Sequence, residues 1–182
     1  MYFNKMVINL LCGQHDRLFI GKFGLMDCIV RKGTPTDVPA VLGLIRELAL
    51  YEKAPLEVTN TEEDMLRDGF GPNPAYRLLV AELDGNVVGM AIYFIKYSTW
   101  KGKGVYLDDI VVTEAMRGQG IGAKLFKEVM HDAVSMNAKQ MHWQVLDWNE
   151  PAIRFYKRYN CDFDGEWINC KLNAHQLIDL TK

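Results

Sequence analysis

Apolar residues recur at intervals of three and four along two segments of the chain, which is the spacing of one buried helix face. In the first segment this register consists of Val41, Leu44, Ile45, Leu48 and Ala49. Thr36 predicts the start of that helix, and Thr59 with Glu62 forms a capping-box pattern before a second helix. Two further helices begin at Ile121 and at Pro151. The four predicted helices therefore span residues 36–51, 61–68, 121–136 and 151–159.

Six other runs, rich in β-branched and aromatic residues, predict strands. Two of them flank Asp84-Gly85-Asn86, a composition typical of a hairpin turn. The predicted strands span residues 28–32, 78–83, 87–97, 105–112, 141–148 and 167–172. Antiparallel strands come first and a β-α-β unit second, which predicts one α/β domain with a mixed sheet.

The patterning typical of a folded domain begins near the first predicted strand. We therefore divide the chain into an N-terminal extension, residues 1–27, and one domain, residues 28–182. A short apolar run in the extension ends at Cys12, but it is shorter than a signal-peptide core, and Leu11 stands where a small residue should precede the cysteine. These features disfavour secretion and favour a cytoplasmic protein.

Composition narrows the class of protein further. The 182 residues are 49% apolar and 24% charged, which is ordinary for a globular domain. The formal net charge is -2 and no Lys/Arg run is long, so we expect neither a nucleic acid nor a membrane as partner. The cysteines form no C-x-x-C pair and have no histidine at ligand spacing, so we expect no metal site and no disulfide framework. They are Cys12, Cys28, Cys161 and Cys170.

A glycine-rich loop joins the predicted strand 105–112 to the predicted helix 121–136. Glycines leave backbone N–H groups uncovered at a helix N-terminus, where the helix dipole adds a partial positive charge and an anion can bind. We expect a ligand that carries a pyrophosphate. The candidate residues are Arg117, Gly118, Gln119, Gly120, Ile121, Gly122 and Ala123.

Two common phosphate-binding patterns fit this loop poorly. Gly118, Gly120 and Ala123 formally satisfy the dinucleotide pattern G-x-G-x-x-[GA]. In that fold, however, the first glycine directly follows its strand and an acid lies about 20 positions on, whereas Asp147 is too far along. The P-loop pattern fails because Lys124 is followed by leucine rather than by Ser or Thr. A turn that only connects strand to helix remains an alternative.

The loop does match [RQ]-x-x-G-x-[GA], through Arg117, Gly120 and Gly122. In this it resembles the coenzyme A loop of the GNAT superfamily of N-acetyltransferases. The resemblance implies a mixed, mostly antiparallel central sheet flanked by helices, with acetyl-CoA as cosubstrate.

Further stretches resemble the same superfamily. Residues 147–158 are similar to its W-N-x-P-[AS]-I-x-F-Y-x-[KR] segment, and residues 106–112 to its central strand. Residues 44–52, with 68–71 after them, are similar to the first two helices of the diamine (spermidine/spermine) and thialysine N-acetyltransferases. Relatives in this subgroup are commonly dimers, which implies a homodimer. Besides the loop, the resemblance implies cofactor contacts at Ile110, Val111, Val112, Asn149, Ala152, Tyr156 and Arg158.

Acetyl transfer to an amine needs a neutral nitrogen. An alkylammonium with a pKa of about 10.4 is about 3.4 pH units from neutrality at pH 7, which costs about 4.6 kcal/mol. A carboxylate can hold the cation and accept its proton, directly or through water. Asp108 and Asp109 are the candidates, but strand alternation points them to opposite faces unless a bulge intervenes. The resemblance favours Asp108, where diamine enzymes usually carry a glutamate, and implies substrate contacts for Glu52 and Trp100. For each acid, an exposed surface charge is the alternative.

Tyr156 is the candidate to protonate the departing thiolate, or to donate a hydrogen bond to it. A phenol with a pKa near 10 and a thiol with a pKa near 8.5 differ by only about 2 kcal/mol in this transfer. The alternative is a tyrosine packed beside Phe155 in the core. Backbone N–H groups of Ile110 and Val112 would meet the acetyl carbonyl and the pantetheine amides if their strand splays from its neighbour. We expect direct attack by the amine in a ternary complex.

Two positions depart from the family pattern. Asn160 stands where a glycine is expected, and Ser98 stands where an acid precedes Trp100 in the diamine enzymes. The second change removes one charge that would bind a polyamine. The sequence thus predicts an acetyl-CoA-dependent N-acetyltransferase for a small primary amine, namely a diamine, a polyamine or a thialysine-like amino acid. An N-acetyltransferase for an amino acid or a protein N-terminus is the alternative, and a non-catalytic acyl-CoA-binding module is a third hypothesis.

Overall fold

The computed structural model describes residues 28–182. The described strands are β1 (Ile29–Lys32), β2 (Arg77–Leu83), β3 (Asn86–Ser98), β4 (Gly102–Val112) and β5 (Met141–His142). They form a five-stranded sheet in the order β1-β2-β3-β4-β5. Neighbours from β1 to β4 are antiparallel and β5 is parallel to β4, so the predicted mixed, mostly antiparallel sheet is confirmed. The predicted extension at residues 1–27 lies outside the described residues.

Helices cover both faces of this sheet, namely α1 (Val38–Tyr51), α2 (Glu62–Phe70), α3 (Ile121–Ser135) and α4 (Glu150–Lys157). A fifth helix, α5 (Ala174–Leu180), has no buried residue. Two buried clusters, one on each face, hold the layers together, and burying each large apolar side chain contributes about 1.5–3 kcal/mol. On one face α3 and α4 pack through Leu125, Phe126, Val129, Phe155 and Tyr156. On the other face α1 and α2 pack through Val41, Leu42, Leu44, Leu48 and Met65. This confirms one α/β domain over the described residues.

The turn between β2 and β3 has the predicted hairpin form. Asp84 and Gly85 both have a positive φ, 50° and 77°, which is the backbone of a type I′ turn. Its twist matches the right-handed twist of the flanking strands, so it fixes the register of the hairpin.

Within the described residues, every helix is too short or too polar to traverse a bilayer.

Both predicted helix caps lie at other residues, since Asp37 directly precedes α1 and Thr61 precedes α2. Thr34, not Thr36, precedes the short 3-10 turn that leads into α1, and its amide donates to the Asp37 carboxylate at 2.7 Å. Thr61, not Thr59, caps α2, because its hydroxyl oxygen accepts from the Asp64 amide at 3.1 Å. Asp64 stands three residues after this cap, where a capping box places its acid, and its carboxylate accepts from the Thr61 hydroxyl. The Thr61 amide donates to Asn60 Oδ1 instead, so the reciprocal bond that we expected from Glu62 is replaced.

Two predicted strands were wrong in extent. The strand predicted at 141–148 pairs with β4 only over Met141–His142. The closing strand predicted at 167–172 is not formed, and α5, which the sequence did not predict, follows that segment. Strand propensity is realised only when the side chains pack on a neighbouring strand. Here Trp167 and Ile168 are 78% and 88% exposed, so they have no such surface beneath them.

Candidate active site

The glycine loop has the backbone of an anion-binding turn. Gly118 and Gly120 have φ values of 78° and 81°, a left-handed conformation that other residues adopt only with strain. Gly120 is the residue that precedes α3, and a Cβ built on it would meet nothing within 4 Å. The left-handed glycines therefore turn the chain into α3 while the loop surface stays open.

The amides of this loop are available to a ligand. Across the described residues, no backbone or side-chain acceptor takes a hydrogen bond from the backbone N–H groups of residues 118–123. Those of residues 120–123 belong to the N-terminal end of α3, where N–H groups have no intrahelical partner. The α3 dipole, from a helix of 15 residues, adds partial positive charge at the same place. The arrangement can hold a phosphate or pyrophosphate.

The side chain of Arg117 lies beneath the loop and is only 6% exposed. Its Nη2 donates to Glu47 Oε1 at 2.9 Å and its Nε donates to the Val112 carbonyl at 3.0 Å. The guanidinium carbon also lies 6.0 Å from the centre of the Tyr51 ring. Because these contacts engage the guanidinium within the protein, any contact of residue 117 with a phosphate would come from its main chain.

The parallel pair β4–β5 opens just before the loop. Pairing ends at Tyr106 and His142, although β4 continues to Val112. The Thr113 amide donates to the Val88 carbonyl of β3 at 2.9 Å, and amides of successive strand residues point to opposite sides. The amides of Ile110 and Val112 therefore point away from β3, into the opening. We expected these two amides to meet an acyl group only if their strand separates from its neighbour, and β4 and β5 do separate here.

A β-bulge in β4 decides where the two candidate acids point. Ile92 of β3 pairs with Asp109 and Tyr93 pairs with Leu107, so Asp108 is an extra residue without an opposite partner. A bulge of this kind interrupts the alternation of side chains along the strand. Asp108 and Asp109 therefore share one side of β4. Both side chains can line the same cleft, which regular strand alternation would not allow.

Glu52 completes an acidic cluster with these two residues. It follows the last residue of α1 and is 9% exposed. Burial raises the pKa of Asp109 well above its ordinary value, and the charges of Asp108 and Glu52 raise it further. Burial also raises the pKa of Asp108. Like charges in a partly desolvated site disfavour full ionisation, so the cluster can stabilise a bound cation and can take up a proton.

Tyr156 projects from α4 into the core and is 0% exposed. Its ring packs on Phe126 and Trp143, at centroid distances of 5.6 and 5.0 Å. Its hydroxyl is buried and has no hydrogen-bond partner among the described residues. Burial raises the pKa of Tyr156 well above 10, with smaller contributions from Cys161 and Asp109. The residue thus presents a neutral O–H donor, and a ligand atom could supply the missing acceptor.

The remaining predicted site residues lie at the two ends of α4, in the β3–β4 turn, in β4, and in the loop and first turn of α3. Asn149 caps α4 by accepting from the Ala152 amide at 3.2 Å, and both residues are 0% exposed. Arg158 lies at the end of α4, with its guanidinium carbon 5.0 Å from the centre of the Phe155 ring. Trp100 is not brought to the acids, because it lies in the β3–β4 turn and is 89% exposed. Gln119 is exposed on the loop, whereas Ile121, Gly122, Val111 and Val112 are buried.

Two contributors to the site were not predicted. Glu47 of α1 accepts hydrogen bonds from the segment before the loop, and Tyr51 pairs with Trp148 at a centroid distance of 5.7 Å. Glu47 is separated from its partners by 66 to 70 positions, and no spacing in the sequence signals such a contact. Across the described residues, no group of His, Cys, Asp and Glu could hold a metal ion.

Comparison with known proteins identifies the family. The profile of the Acetyltransferase (GNAT) family matches residues 45–161, which include the loop, the acidic cluster and Tyr156. The chain belongs to the GNAT acetyltransferase family. It is 44% identical over 137 residues to a thialysine N-epsilon-acetyltransferase of Bos taurus, a match that covers 71% of this chain and 81% of the relative. It is also 36% identical over 161 residues to the human spermidine/spermine N(1)-acetyltransferase-like protein 1, covering 83% of this chain and 23% of that one.

Solved structures support the GNAT fold independently. An integron cassette protein from the mobile metagenome of V. cholerae superimposes with a TM-score of 0.70 over 87% of this chain and 99% of its own, at 22% identity. The family membership and the named relatives make this GNAT chain an N-acetyltransferase, which confirms the predicted class of enzyme.

Proposed function

We propose that this enzyme transfers the acetyl group of acetyl-CoA to a primary amine of a diamine, a polyamine or a thialysine-like amino acid. The observation that carries the proposal is the position of the unpaired loop amides at the same opening of the sheet as the acidic cluster. Relatives named for thialysine and for spermidine/spermine support the choice of amine. GNAT enzymes use acetyl-CoA, whose thioester supplies the activated acetyl group when bound.

The cofactor half of the site fits this carrier. Residues 118–123 offer amides for the pyrophosphate, and the amides of Ile110 and Val112 point into the opening, where the acetyl oxygen and the pantetheine amides would lie. Hydrogen-bond donors fixed in advance at the acetyl oxygen would stabilise the negative charge that develops there. The unpaired hydroxyl of Tyr156 fits a sulfur that needs a donor when it departs.

The amine half depends on Asp108, Asp109 and Glu52. An ammonium group would relieve the repulsion among these carboxyls, so binding of the substrate and ionisation of the cluster support each other. A carboxyl whose pKa is raised toward neutrality is a better proton acceptor for the amine than an ordinary aspartate, since its proton affinity is higher. In this proposal Asp108, which is less deeply set than Asp109, meets the amine directly or through one water.

The raised pKa of Tyr156 sharpens its role. A weaker acid gives up its proton less readily, so complete transfer to the thiolate would cost more than the value of about 2 kcal/mol for an unperturbed phenol. The hydroxyl therefore acts first as a hydrogen-bond donor to the sulfur, and the proton moves only as the thiolate charge develops.

The finer expectations of a homodimer and a cytoplasmic location belong to the same proposal. The C-terminal segment, residues 161–182, exposes a row of large apolar side chains, and β5 ends the sheet as an unpaired edge strand in the described part of the chain. A second copy of the chain would cover both. The exposed side chains are Phe163, Trp167, Ile168, Leu172, Leu177, Ile178 and Leu180. The free thiols of Cys28, Cys161 and Cys170 suit a reducing compartment.

A thiol-release assay with acetyl-CoA and a panel of amines tests the activity and the substrate together. The panel contains diamines, polyamines, thialysine, lysine, other amino acids and a peptide with a free N-terminus. Turnover on diamines, polyamines or thialysine should fall by about 100-fold in Asp108→Ala, as expected for loss of a proton acceptor. Asp84→Asn, an exposed hairpin residue whose left-handed backbone asparagine tolerates, is the matched control and should turn over normally.

The other outcomes would each select another hypothesis. Turnover confined to amino acids or to the peptide would select the alternative substrate class. If no amine released thiol although coenzyme A raised the melting temperature, the enzyme assignment itself would fail.

A further inference from the structure

One carboxylate of α1 holds the whole segment that leads into the glycine loop. Glu47 Oε2 accepts from the Thr113 hydroxyl at 3.0 Å, and Oε1 accepts from the Glu114 amide at 2.8 Å. Oε1 also accepts from Arg117 Nη2 at 2.9 Å. Three donors from a five-residue stretch thus converge on a single side chain of another layer of the fold.

The same contacts reach back to β4. Arg117 is only 6% exposed, and while one of its nitrogens binds Glu47, another binds the Val112 carbonyl. A nearly buried guanidinium that donates to two fixed acceptors is held in one geometry, because its fork of donors is planar and rigid. Glu47 therefore fixes the residue before Gly118, whereas Val112, the last residue of β4, is also held by its pairing with Gly89 of β3.

The charge of Glu47 argues for a role in geometry. A carboxylate near a pyrophosphate site would repel the ligand, and Arg117 neutralises that repulsion only by giving up its own contact with the phosphate. A negative charge at position 47 weakens the attraction between the loop and an anionic ligand. Any benefit of Glu47 must therefore come from the shape that it imposes on the loop. Rigid presentation of donors lowers the entropy that a ligand loses by ordering them.

We infer that Glu47 is a positioning residue, which through Thr113, Glu114 and Arg117 holds the glycine loop in the shape that binds the pyrophosphate of the acyl carrier. This rests on the proposed function, in which residues 118–123 bind that group. Because Tyr51 follows one turn later on the same helix and packs near Arg117, α1 connects the cofactor loop with the acidic cluster at its C-terminal end.

The test compares two substitutions at one position with two ligands. Glu47→Ala removes all three acceptor contacts, whereas Glu47→Gln keeps an oxygen for the Glu114 amide and Arg117 and turns its NH₂ toward the Thr113 hydroxyl, which can also accept. The ligands are coenzyme A, measured by calorimetry, and S-acetylpantetheine, which lacks the pyrophosphate, measured as a substrate.

We expect the Kd for coenzyme A to rise about tenfold in Glu47→Ala and less than about threefold in Glu47→Gln, since preorganisation depends on the acceptors and not on the charge. The kcat/KM for S-acetylpantetheine should change less than about twofold in both variants, because this substrate does not use the loop. Equal losses for both ligands would show a merely structural salt bridge and overturn the inference.

Further outcomes keep this inference separate from the proposed function. If the wild-type protein did not bind coenzyme A, the proposed function would fail. If Glu47→Ala bound coenzyme A as tightly as the wild type, only the inference about Glu47 would be overturned. Thr113→Val serves if Glu47→Ala does not fold, since it deletes one of the three donors and keeps the shape of the side chain. It should weaken coenzyme A binding about threefold and leave S-acetylpantetheine unaffected.

Discussion

Asp108 and Asp109 lie on the same side of β4, although they are adjacent in sequence. Leu107 and Ile110 both pack in the cluster under α3, so two residues separate successive inward positions where an ordinary strand has one. The bulge that inserts the extra residue therefore concentrates negative charge beside Glu52. An enzyme that must bind an ammonium and then remove its proton gains from such a pair, because one acid can stay charged while its neighbour exchanges a proton.

The first prediction concerns the stability of the protein as a function of pH. The folded-state pKa of Asp109 is raised above its ordinary value of 3.8, first by burial and then by Asp108 and Glu52. Above pH 3.8 the folded protein binds more protons at this site than the unfolded chain, so the free energy of unfolding falls as pH rises through the raised pKa. Asp109→Asn removes this dependence. Its melting temperature relative to the wild type should therefore increase from pH 4 to pH 8.

Comparing the two proteins at each pH cancels the contributions of all other titrating groups. Asp84→Asn is the control, because Asp84 is exposed in the β2–β3 turn. Its difference from the wild type should stay constant over the same range. A constant difference for Asp109→Asn as well would mean that Asp109 is not desolvated in the folded protein.

Gly120→Val should raise the Kd for acetyl-CoA by more than about tenfold. A side chain there would project from the open surface of the loop and block a ligand from the amides, and its positive φ of 81° adds strain of about 1–2 kcal/mol. Gly85→Val is a matched control, because Gly85 has a φ of 77° and also has open space around its Cα. Both variants should lose similar stability in thermal unfolding, but only Gly120→Val should lose affinity in calorimetry. Parallel loss of affinity in the two would point to a general effect of strain.

Much of this architecture could be predicted because its signals are local. The three- and four-residue spacing of apolar positions in α1 and α3 predicts their buried faces, and Asp84-Gly85 predicts its turn through the backbone angles that it permits. The loop 117–122 was also predictable, since glycines between a strand and a helix leave amides uncovered.

The unpredicted features depend on residues distant in the chain. The bulge at Asp108 carries no glycine or other marker, and it is visible only from the register with β3. The hydrogen bonds from residues 113–117 to Glu47 likewise connect elements that are about 70 positions apart. Residues 143–148 have a composition that suits a strand, yet pairing with β4 stops at His142, because a strand is defined by its partners.

The exposed apolar row of the C-terminal segment leads to a prediction about assembly. Replacing Trp167 and Ile168 together by serine should convert the proposed dimer into a monomer, because these side chains are 78% and 88% exposed in the single chain. Light scattering after size-exclusion chromatography measures the mass of each form. Leu56→Ser is the control, since Leu56 is 91% exposed but lies on the turn after α1. A wild-type monomer at all concentrations, or an unchanged dimer in the double variant, would reject the proposed surface.

Two tyrosines of the same core offer a paired test of the candidate catalytic hydroxyl. Tyr156 and Tyr93 are 0% and 1% exposed, but only Tyr93 has a hydrogen-bond partner there, the Asp132 carboxylate. A buried polar group without a partner costs about 1–3 kcal/mol, so Tyr156→Phe should leave the melting temperature unchanged or raise it. Tyr93→Phe deprives Asp132 of its donor and should lower the melting temperature.

The kinetic effects of these two substitutions should be reversed. Tyr156→Phe should slow turnover by about 100-fold or more through loss of the donor at the departing sulfur, while the Kd for acetyl-CoA stays nearly unchanged. Tyr93→Phe should turn over at close to the wild-type rate, because its hydroxyl donates to Asp132 of α3, which is not part of the acidic cluster. The measurements are thermal unfolding, calorimetric titration and thiol release on the same preparations. If Tyr156→Phe were less stable and equally active, its hydroxyl would belong to the core and another group would have to serve the sulfur.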